Sequence, residues 1–235
     1  MGHKKLIRFE EIKHFRNVLQ FPGNMAGNWH SFFGNDNRIT LELACGKGEY
    51  TVQLAQLYPD RNFIGVDLKG NRIWAGAKKC LEGNIGNAAF LRTQIERIHE
   101  YFDKNEVSEI WITFPDPQLR LSKAKKRLTH PRFLRLYQQI LADNGIVHLK
   151  TDSPDLYDFT LKVAELYNLR VLEASDNVYE RPHLPEELKI KTYYESLDIA
   201  KSNRVHYLKF TIDNALPAEK DNMLKELLKE TAVDQ

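Results

Sequence analysis

The stretch "RITLELACGKGEY", residues 38–50, decides the fold. Its first seven residues are rich in aliphatic and β-branched side chains and predict a strand over residues 38–44. Two glycines follow, Gly46 and Gly48, and a helical pattern then runs from Glu49 to Leu57. A strand that leads through a glycine-rich turn into a helix is the first half of a βαβ unit, so the stretch predicts a parallel sheet.

The same alternation of strands and helices continues along the chain. The further predicted strands are 62–67, 88–93, 109–114 and 145–151, and the further predicted helices are 71–81, 131–141 and 154–167. Strands over 169–175 and 204–212 have no convincing helix between them and predict a hairpin-like pair with a long excursion. The predicted fold class is therefore α/β, with a mostly parallel, doubly wound sheet and an antiparallel strand near the C-terminus.

The predicted sheet and its helices form a single domain over residues 38–235. Residues 1–37 are basic and aromatic without a clear period, and we predict an irregular N-terminal arm or lid there. The C-terminal tail places Leu224, Leu227 and Leu228 at positions i, i+3 and i+4, which is typical of a small amphipathic helix that packs on the domain.

The composition bounds the class of protein. The chain has 235 residues and two cysteines, Cys45 and Cys80, which are too few for a disulfide framework, so we expect a reduced cytoplasmic interior. No charged segment followed by an apolar core opens the sequence, and no apolar run reaches the roughly 20 residues that span a bilayer. We therefore expect a soluble protein without a membrane partner. The net charge of +2 says nothing about nucleic acid by itself.

The charge is nevertheless polarised, because a basic run lies between Asp116 and Asp143 with no acid in it. Such a run is usually a solvated face or a helix start. Seven cations without a compensating acid, close to a predicted ligand cleft, instead favour a surface that follows a phosphate backbone. Lys125 and Lys126 are accordingly predicted to bind RNA. The seven cations are Arg120, Lys123, Lys125, Lys126, Arg127, Arg132 and Arg135.

Acids and glycines at the ends of the first two strands predict a nucleoside cleft. In open α/β sheets, ligands bind beyond the carboxyl ends of the strands, where strand order reverses. Gly46 and Gly48 let the backbone approach a ligand closely, and Glu42 is predicted to point from the strand end into the same crevice. Asp67 ends the second strand, where an acid can accept both hydroxyls of a ribose. An ordinary glycine-rich turn and a solvated acid are the alternative interpretation.

Two residues indicate which nucleoside is bound. Thr51 stands where the pattern G-x-G-x-x-G requires its third glycine, and Glu42 would repel a pyrophosphate. Both residues disfavour a nicotinamide cofactor and therefore an oxidoreductase. A cofactor with a positively charged end fits Glu42 better, and S-adenosylmethionine has such an end.

The stretch "FPDPQLRLSKAKKRL", residues 114–128, places Asp116 after the fourth strand and over the same cleft. Pro115 and Pro117 restrict its backbone on both sides and hold the carboxylate without a flexible loop. Asp-Pro is also a common turn element, so a structural role is the alternative. Beside a basic run, the carboxylate can accept hydrogen bonds from guanine N1 and N2 and stabilise the cation formed when a ring nitrogen gains a methyl group. Guanine N7 carries an exposed lone pair, so no base is required.

Five ordered motifs resemble the bacterial tRNA (guanine-N7)-methyltransferases of the TrmB type, and the resemblance runs from about residue 38 to 211. The last three motifs are specific to this family. The resemblance implies a class I S-adenosylmethionine-dependent, Rossmann-like fold, and methylation of N7 of the variable-loop guanosine, position 46 in tRNA. The motifs are "LELACGKGEY" (41–50), "FIGVDLKG" (63–70), "FPDPQLRLSKAKKRL" (114–128), "LKTDSPDLY" (149–157) and "TYYES" (192–196).

The resemblance also implies roles for single residues on the cofactor side. Glu42, Asp67 and Gln94 contact the cofactor in this interpretation, and Asp116 lies at its methyl end as the catalytic residue. Ala44 replaces the first glycine of the cofactor loop that the family commonly has.

On the substrate side, the resemblance implies that Arg120, Asp152 and the segment Thr192 to Glu195 contact the guanosine or its backbone. The segment after Asp116 departs from the family at three positions. These positions affect how the base is stacked and how tightly RNA is bound. These are Gln118 for Trp, Leu119 for Pro and Ser122 for Arg.

Two further interpretations stay open. An RNA-binding protein of the same fold, catalytically inactive or with a different target, would share the cleft and the basic run. The sequence also leaves the choice between monomer and homodimer open. The eight histidines show no ligand spacing with cysteines or acids, so no metal is predicted.

Overall fold

The computed structural model describes residues 2–197, 201 and 203–233. The strands are β1 (Val18–Gln20), β2 (Ile39–Leu43), β3 (Asn62–Asp67), β4 (Ala88–Arg92), β5 (Val107–Thr113), β6 (Leu141–Thr151), β7 (Val171–Ser175) and β8 (His206–Thr211). The helices are α1 (Gly2–Glu11), α2 (Trp29–Phe33), α3 (Glu49–Leu57), α4 (Gly70–Glu82), α5 (Pro131–Gln138), α6 (Pro154–Leu166), α7 (Glu186–Lys189) and α8 (Lys220–Val233). Short 3-10 turns span Ile12–His14, Ile95–Glu100, Leu121–Lys126, Val178–Glu180 and Glu195–Leu197.

The strands form a sheet in the order β1-β4-β3-β2-β5-β6-β8-β7. Strands β1 to β6 run parallel, and β8 pairs antiparallel with both β6 and β7. The chain moves outward from β2 through β3 to β4 and then returns to β5 on the other side of β2. Strand order therefore reverses between β2 and β5, and their carboxyl ends flank the crevice where such sheets bind ligands.

Alternate side chains of the central strands pack into two cores, one on each face of the sheet. In β2, Leu41 and Leu43 belong to one core, so Glu42 faces the other side. In β5, Ile112 belongs to the first core and Trp111 to the second. Both faces are covered, which explains the near-continuous apolar runs from which the strands were predicted. The predicted α/β fold, mostly parallel with an antiparallel strand near the C-terminus, is confirmed.

The prediction of an irregular segment over residues 1–37 is wrong for most of its length. Strand β1 joins the edge of the sheet beside β4, and α1 packs against α4. Trp29 is buried in the first core, where its Nε1 donates a hydrogen bond to the carbonyl oxygen of Tyr101 at 2.8 Å. A three-residue strand and a five-residue helix are too short to produce a hydrophobic period, so the sequence pattern missed them. The lid role of the segment stays a prediction.

The C-terminal third follows the predicted order. Strands β7 and β8 form the antiparallel pair, and α7 lies in the excursion between them, of which residues 198–200 and 202 lie outside the described residues. Helix α8 is the predicted amphipathic helix. Leu224 is buried and Leu228 packs against the first core, whereas Leu227 lies on the exposed side.

A local signal fixes where helix α6 begins. The Oγ of Ser153 accepts the backbone N–H of Leu156 at 3.3 Å, and Pro154 occupies the first turn, where a missing N–H is harmless. The helix therefore starts directly after β6, and Asp152 is left at the carboxyl edge of the sheet.

Replacing Gly48 with alanine should strongly destabilise the fold. Its φ is +69°, and an added Cβ would lie 2.3 Å from Cε1 of the buried Phe90 ring, so strain and overpacking add. We expect Gly48→Ala to lower the free energy of unfolding by about 3 kcal/mol, measured by urea unfolding. Gly46→Ala is the matched control, because φ is +56° there but the nearest atom is 3.5 Å away. A loss of only about 1 kcal/mol is expected for the control, and equal losses would contradict the steric argument.

Candidate active site

The turn after β2 has a strained backbone. Ala44, Gly46 and Gly48 have positive φ angles of 58°, 56° and 69°. Glycine adopts this conformation freely, whereas alanine does so at a steric cost. The turn is held by two backbone bonds, from Cys45 N to the carbonyl oxygen of Val66 at 3.0 Å and from Gly48 N to that of Cys45 at 2.8 Å. The resemblance implied a glycine at position 44, and the backbone of Ala44 has the conformation that favours glycine.

Glu42 lies beneath this turn and does not point into the crevice as its sequence position suggested. Its side chain is buried, and both carboxylate oxygens are taken by neighbouring elements. Thr51 donates to Oε2 from its backbone N at 2.8 Å and from its Oγ1 at 2.5 Å, and Thr113 Oγ1 donates to Oε1 at 2.8 Å. Burial raises the pKa of Glu42 to about 7, although these hydrogen bonds act to lower it. The carboxyl thus connects β2, α3 and β5 at the switch point.

Asp67 lies at the end of β3, beside the same turn. Its Oδ2 accepts the backbone N–H of Gly46 at 2.9 Å, and its Oδ1 accepts that of Lys69 at 2.8 Å. A carboxylate has about four acceptor positions, so each oxygen keeps capacity for a further donor such as a ribose hydroxyl. Gln94 is exposed at the end of β4, directly before the 3-10 turn Ile95–Glu100. Both residues lie at the carboxyl edge of the sheet, where the strand pattern placed Asp67 and where the resemblance implied a cofactor contact for Gln94.

Asp116 is exposed just beyond the end of β5. Its Oδ1 accepts the backbone N–H of Gln118 at 3.0 Å, and the residues on either side of the turn are strained. Phe114 and Gln118 have φ angles of +45° and +49°, which bulky side chains adopt only when the surroundings enforce them. Arg127 supplies part of that enforcement, because its guanidinium donates to the carbonyl oxygens of Gln118 and Leu119 at 3.3 to 3.4 Å.

The structure separates the seven cations of the basic run into two groups. Arg127 is buried with its guanidinium 4.5 Å from the centre of the Phe159 ring, and burial lowers its pKa. Arg132 lies 3.9 Å from Glu96, and Arg135 lies 2.6 Å from Asp221. Burial therefore removes Arg127 from an exposed phosphate-binding surface, and Arg132 and Arg135 each have an acidic partner. The remaining cations are exposed on and beside the 3-10 turn next to Asp116, namely Arg120, Lys123, Lys125 and Lys126.

The segment Thr192–Glu195 packs across the turn Ala44–Gly48 after β2, which is the predicted cofactor turn. Tyr193 N donates to Glu49 Oε2 at 3.0 Å, and the Tyr193 ring lies 3.6 Å from Lys47 Nζ. A Cβ built on Gly46 would lie 3.5 Å from the Tyr194 ring, so this ring rests on the turn. The sequence alone gave no reason to place these residues beside the glycines, which lie far away in the chain.

Lys150 is the residue of the site that sequence reasoning missed. It is fully buried near the end of β6, and its Nζ lies 3.0 Å from the carbonyl oxygen of Leu188, 2.8 Å from that of Ile190 and 3.1 Å from Glu195 Oε2. Burial lowers the pKa of Lys150, and the carboxylate of Glu195 opposes this shift. A lysine inside an otherwise apolar central strand was the available signal, since such strands are buried on both faces. Asp152, two residues further, is half-buried at the carboxyl edge.

Neither a metal-binding cluster nor a membrane-spanning helix is found in the part of the chain that the structure describes. No group of three or more histidine, cysteine, aspartate or glutamate side chains within residues 2–197, 201 and 203–233 is placed to hold a metal ion. In the same part of the chain, no helix is both long and apolar enough to cross a membrane.

Comparison with solved structures identifies the class of fold. The 16S rRNA methyltransferase KamB superposes with a TM-score of 0.61 and 15% identity, over 79% of this chain and 93% of KamB. Together with the switch-point glycine turn and the strand-end acids, the sheet order defines the Rossmann-like fold of class I S-adenosylmethionine-dependent methyltransferases.

Sequence comparison identifies the family. The family model described as "Putative methyltransferase" matches residues 36–208. A tRNA (guanine-N(7)-)-methyltransferase of Christiangramia forsetii is 46% identical over 224 residues, which are 90% of this chain and 100% of the relative. One of Porphyromonas gingivalis is 50% identical over 192 residues, 81% of this chain and 77% of the relative. The chain belongs to the tRNA (guanine-N(7)-)-methyltransferase family.

Removing the buried carboxyl should change how stability depends on pH. The folded pKa of Glu42, about 7, lies above the unfolded value of 4.5, so the folded state retains this proton longer. The stability that depends on this proton is present below about pH 4.5 and is lost as the pH rises to about 7. Glu42→Gln should therefore gain about 2 kcal/mol relative to the wild type between about pH 5 and pH 8, measured by urea unfolding. Glu165→Gln on the exposed side of α6 is the control, and parallel curves for Glu42→Gln and the wild type would disprove the shift.

Proposed function

We propose that the protein transfers a methyl group from S-adenosyl-L-methionine to N7 of a guanosine in tRNA, forming m7G. This conclusion rests on family membership, because the chain matches a 46% identical relative over that relative's full length. The arrangement of the site supports it, because the cofactor turn, Asp67 and Asp116 meet at one edge of the sheet. We further propose that the target is the variable-loop guanosine, position 46, and that the protein works in the cytoplasm as one methyltransferase domain. This domain includes β1 and the buried Trp29 in addition to residues 38–235.

The residues at the switch point fit the proposed cofactor. Gly46 and Gly48 would let its methionine part approach the backbone, and Asp67 keeps acceptor capacity for the ribose hydroxyls. We assign the exposed amide of Gln94 to the adenine side, and we assign Glu42 to holding the turn from below. S-adenosyl-L-methionine supplies an electrophilic methyl group on a positively charged sulfur.

Asp116 is the proposed catalytic residue at the methyl end of the cleft. Guanine N7 carries its own lone pair, so the protein needs no general base and catalysis depends on alignment and electrostatics. The carboxylate would accept hydrogen bonds from guanine N1 and N2, which orients N7, and would stabilise the positive charge that the ring gains. Because the strained turn fixes the backbone of Asp116 in advance, little ordering is needed when the base arrives.

The substrate side of the cleft is formed by three separate stretches. We assign Arg120 to the phosphate beside the target nucleoside, and Asp152 and the segment Thr192–Glu195 to the guanosine itself. Lys125 and Lys126 would follow the RNA backbone further along. Their exposure, and the absence of an ion pair to either lysine within the described residues, support this assignment.

Turnover of unmodified tRNA tests the function directly. Incubation with the methyl donor should yield m7G, detected by mass spectrometry of the nucleosides, and Asp116→Ala should reduce kcat on the order of a hundredfold or more. Binding of tRNA should change little, because phosphate contacts dominate the affinity. Asp143→Ala, an exposed acid near the amino end of β6, is the matched control. A binding protein without turnover would give no m7G with the wild type, and equal losses of turnover and affinity would contradict the role of Asp116.

The salt dependence of binding tests the basic surface. Replacing Lys125 and Lys126 with alanine should weaken tRNA binding and flatten the slope of log K against log salt by about one to two units. The control is a double variant, Arg38→Ala and Lys104→Ala, which removes two exposed charges at the amino edge of the sheet. It should keep the wild-type slope. An unchanged slope in the first double variant would place Lys125 and Lys126 away from the RNA.

A further inference from the structure

The buried ammonium of Lys150 joins two parts of the chain that meet only in the tertiary structure. It sits in β6, directly beside Thr113 at the end of β5, and it is 0% exposed. Its three acceptors all belong to one segment, residues 188–195: the carbonyl oxygens of Leu188 and Ile190 and the carboxylate of Glu195. An ammonium has three N–H donors, so this segment satisfies all of them.

The far end of the same segment is also fixed. The Tyr179 hydroxyl donates to Glu195 Oε1, so both oxygens of this carboxylate have partners. Thr192 Oγ1 accepts the backbone N–H of Glu195 at 3.1 Å, which closes the turn between them. Tyr193 is meanwhile bound to Glu49 next to the cofactor turn.

Lys150 also borders the turn that carries Asp116, residues 114–118. The Phe114 ring centre lies 5.6 Å from Lys150 Nζ, and the backbone N of Phe114 donates to the Lys150 carbonyl oxygen at 2.8 Å. Phe114 is the strained residue two positions before Asp116. The same lysine therefore contacts the strand end that carries Asp116 and the segment that carries Thr192.

We propose that Lys150 is a positioning residue for methyl transfer, whose ammonium sets the distance between the segment Thr192–Glu195 and Asp116. It acts through Glu195 and two backbone carbonyls and does not touch the substrate. The inference rests on the proposed function, which assigns Thr192–Glu195 to the guanosine. Packing alone does not explain a lysine here, because burying a charge is costly and an apolar side chain of similar length would fill the same space.

Arg135 provides a matched control elsewhere in the fold. It also anchors a distant segment through two carbonyl oxygens, those of Leu216 and Pro217, and one carboxylate, that of Asp221. That segment follows β8, whose last residue Thr211 pairs with Ile146 toward the amino edge of the sheet, opposite the edge that carries the cofactor turn and Asp116. Arg135→Met therefore removes a similar anchor without altering the proposed site.

The experiment compares Lys150→Met and Lys150→Gln with Arg135→Met in the full chain. Wild-type formation of m7G is measured first, since its failure would reject the proposed function and not the anchor. Both Lys150 variants should show faster amide hydrogen exchange over residues 188–197. Their kcat/KM for tRNA should fall on the order of a hundredfold, as expected for a misplacement of about 1 Å. Arg135→Met should loosen the region around α8 and keep its kcat/KM.

Circular dichroism and thermal melting establish which variants fold. The Gln variant keeps amide donors at the buried position, so exchange and kcat/KM are measured on it if the Met variant fails to fold. Unchanged exchange over residues 188–197 in a folded Lys150 variant would disprove the anchor. Faster exchange with kcat/KM within about twofold of the wild type would show a structural role only and overturn the proposal.

Discussion

The buried carboxyl of Glu42 is the interaction on which the site depends. Strands β2 and β5 are neighbours because the chain reverses its strand order between them, and Glu42 bonds to Thr51 and Thr113 across that junction. It thereby fixes the start of α3 and holds the strained turn at Ala44 to Gly48 above it. Three donors offset part of the cost of burial, but its pKa still rises to about 7. Near neutral pH this carboxyl is therefore close to its midpoint of titration.

A second buried polar group, Lys150, organises the other half of the cleft on the same face of the sheet. Glu42, Thr113 and Lys150 lie near the ends of three adjacent strands, β2, β5 and β6. Each binds chain that is remote in sequence: Glu42 binds α3, and Lys150 binds the segment from Leu188 to Glu195. Buried polar groups with satisfied partners specify one arrangement, because any alternative leaves a donor or acceptor unpaired. The cofactor side and the proposed guanosine side are thus held by separate polar anchors in one sheet.

Much of the fold was predictable because its signals are local. The helix over Glu49–Leu57 and the strand over 62–67 were predicted with the observed bounds, since glycines and a clear hydrophobic pattern delimit them. Asp67 and Asp116 were placed at one edge because parallel strands share their carboxyl ends, whereas only the family resemblance implied a role for Gln94. The N-terminal strand β1 was missed, because three residues carry no readable period and its partner β4 is some 70 residues away. The basic run was predicted as one surface, yet burial and acids remote in sequence divide it.

The sequence by itself determined the order of strands and helices, the glycine turn with its strand-end acids, and the family through five ordered motifs. Only the tertiary structure decided what each charged side chain contacts. It placed Glu42 under the turn, paired Arg135 with Asp221 and surrounded Lys150 with acceptors from residues 188–195. The physical reason is that a side chain's identity fixes what it can donate or accept, whereas burial and long-range packing fix which partner it finds.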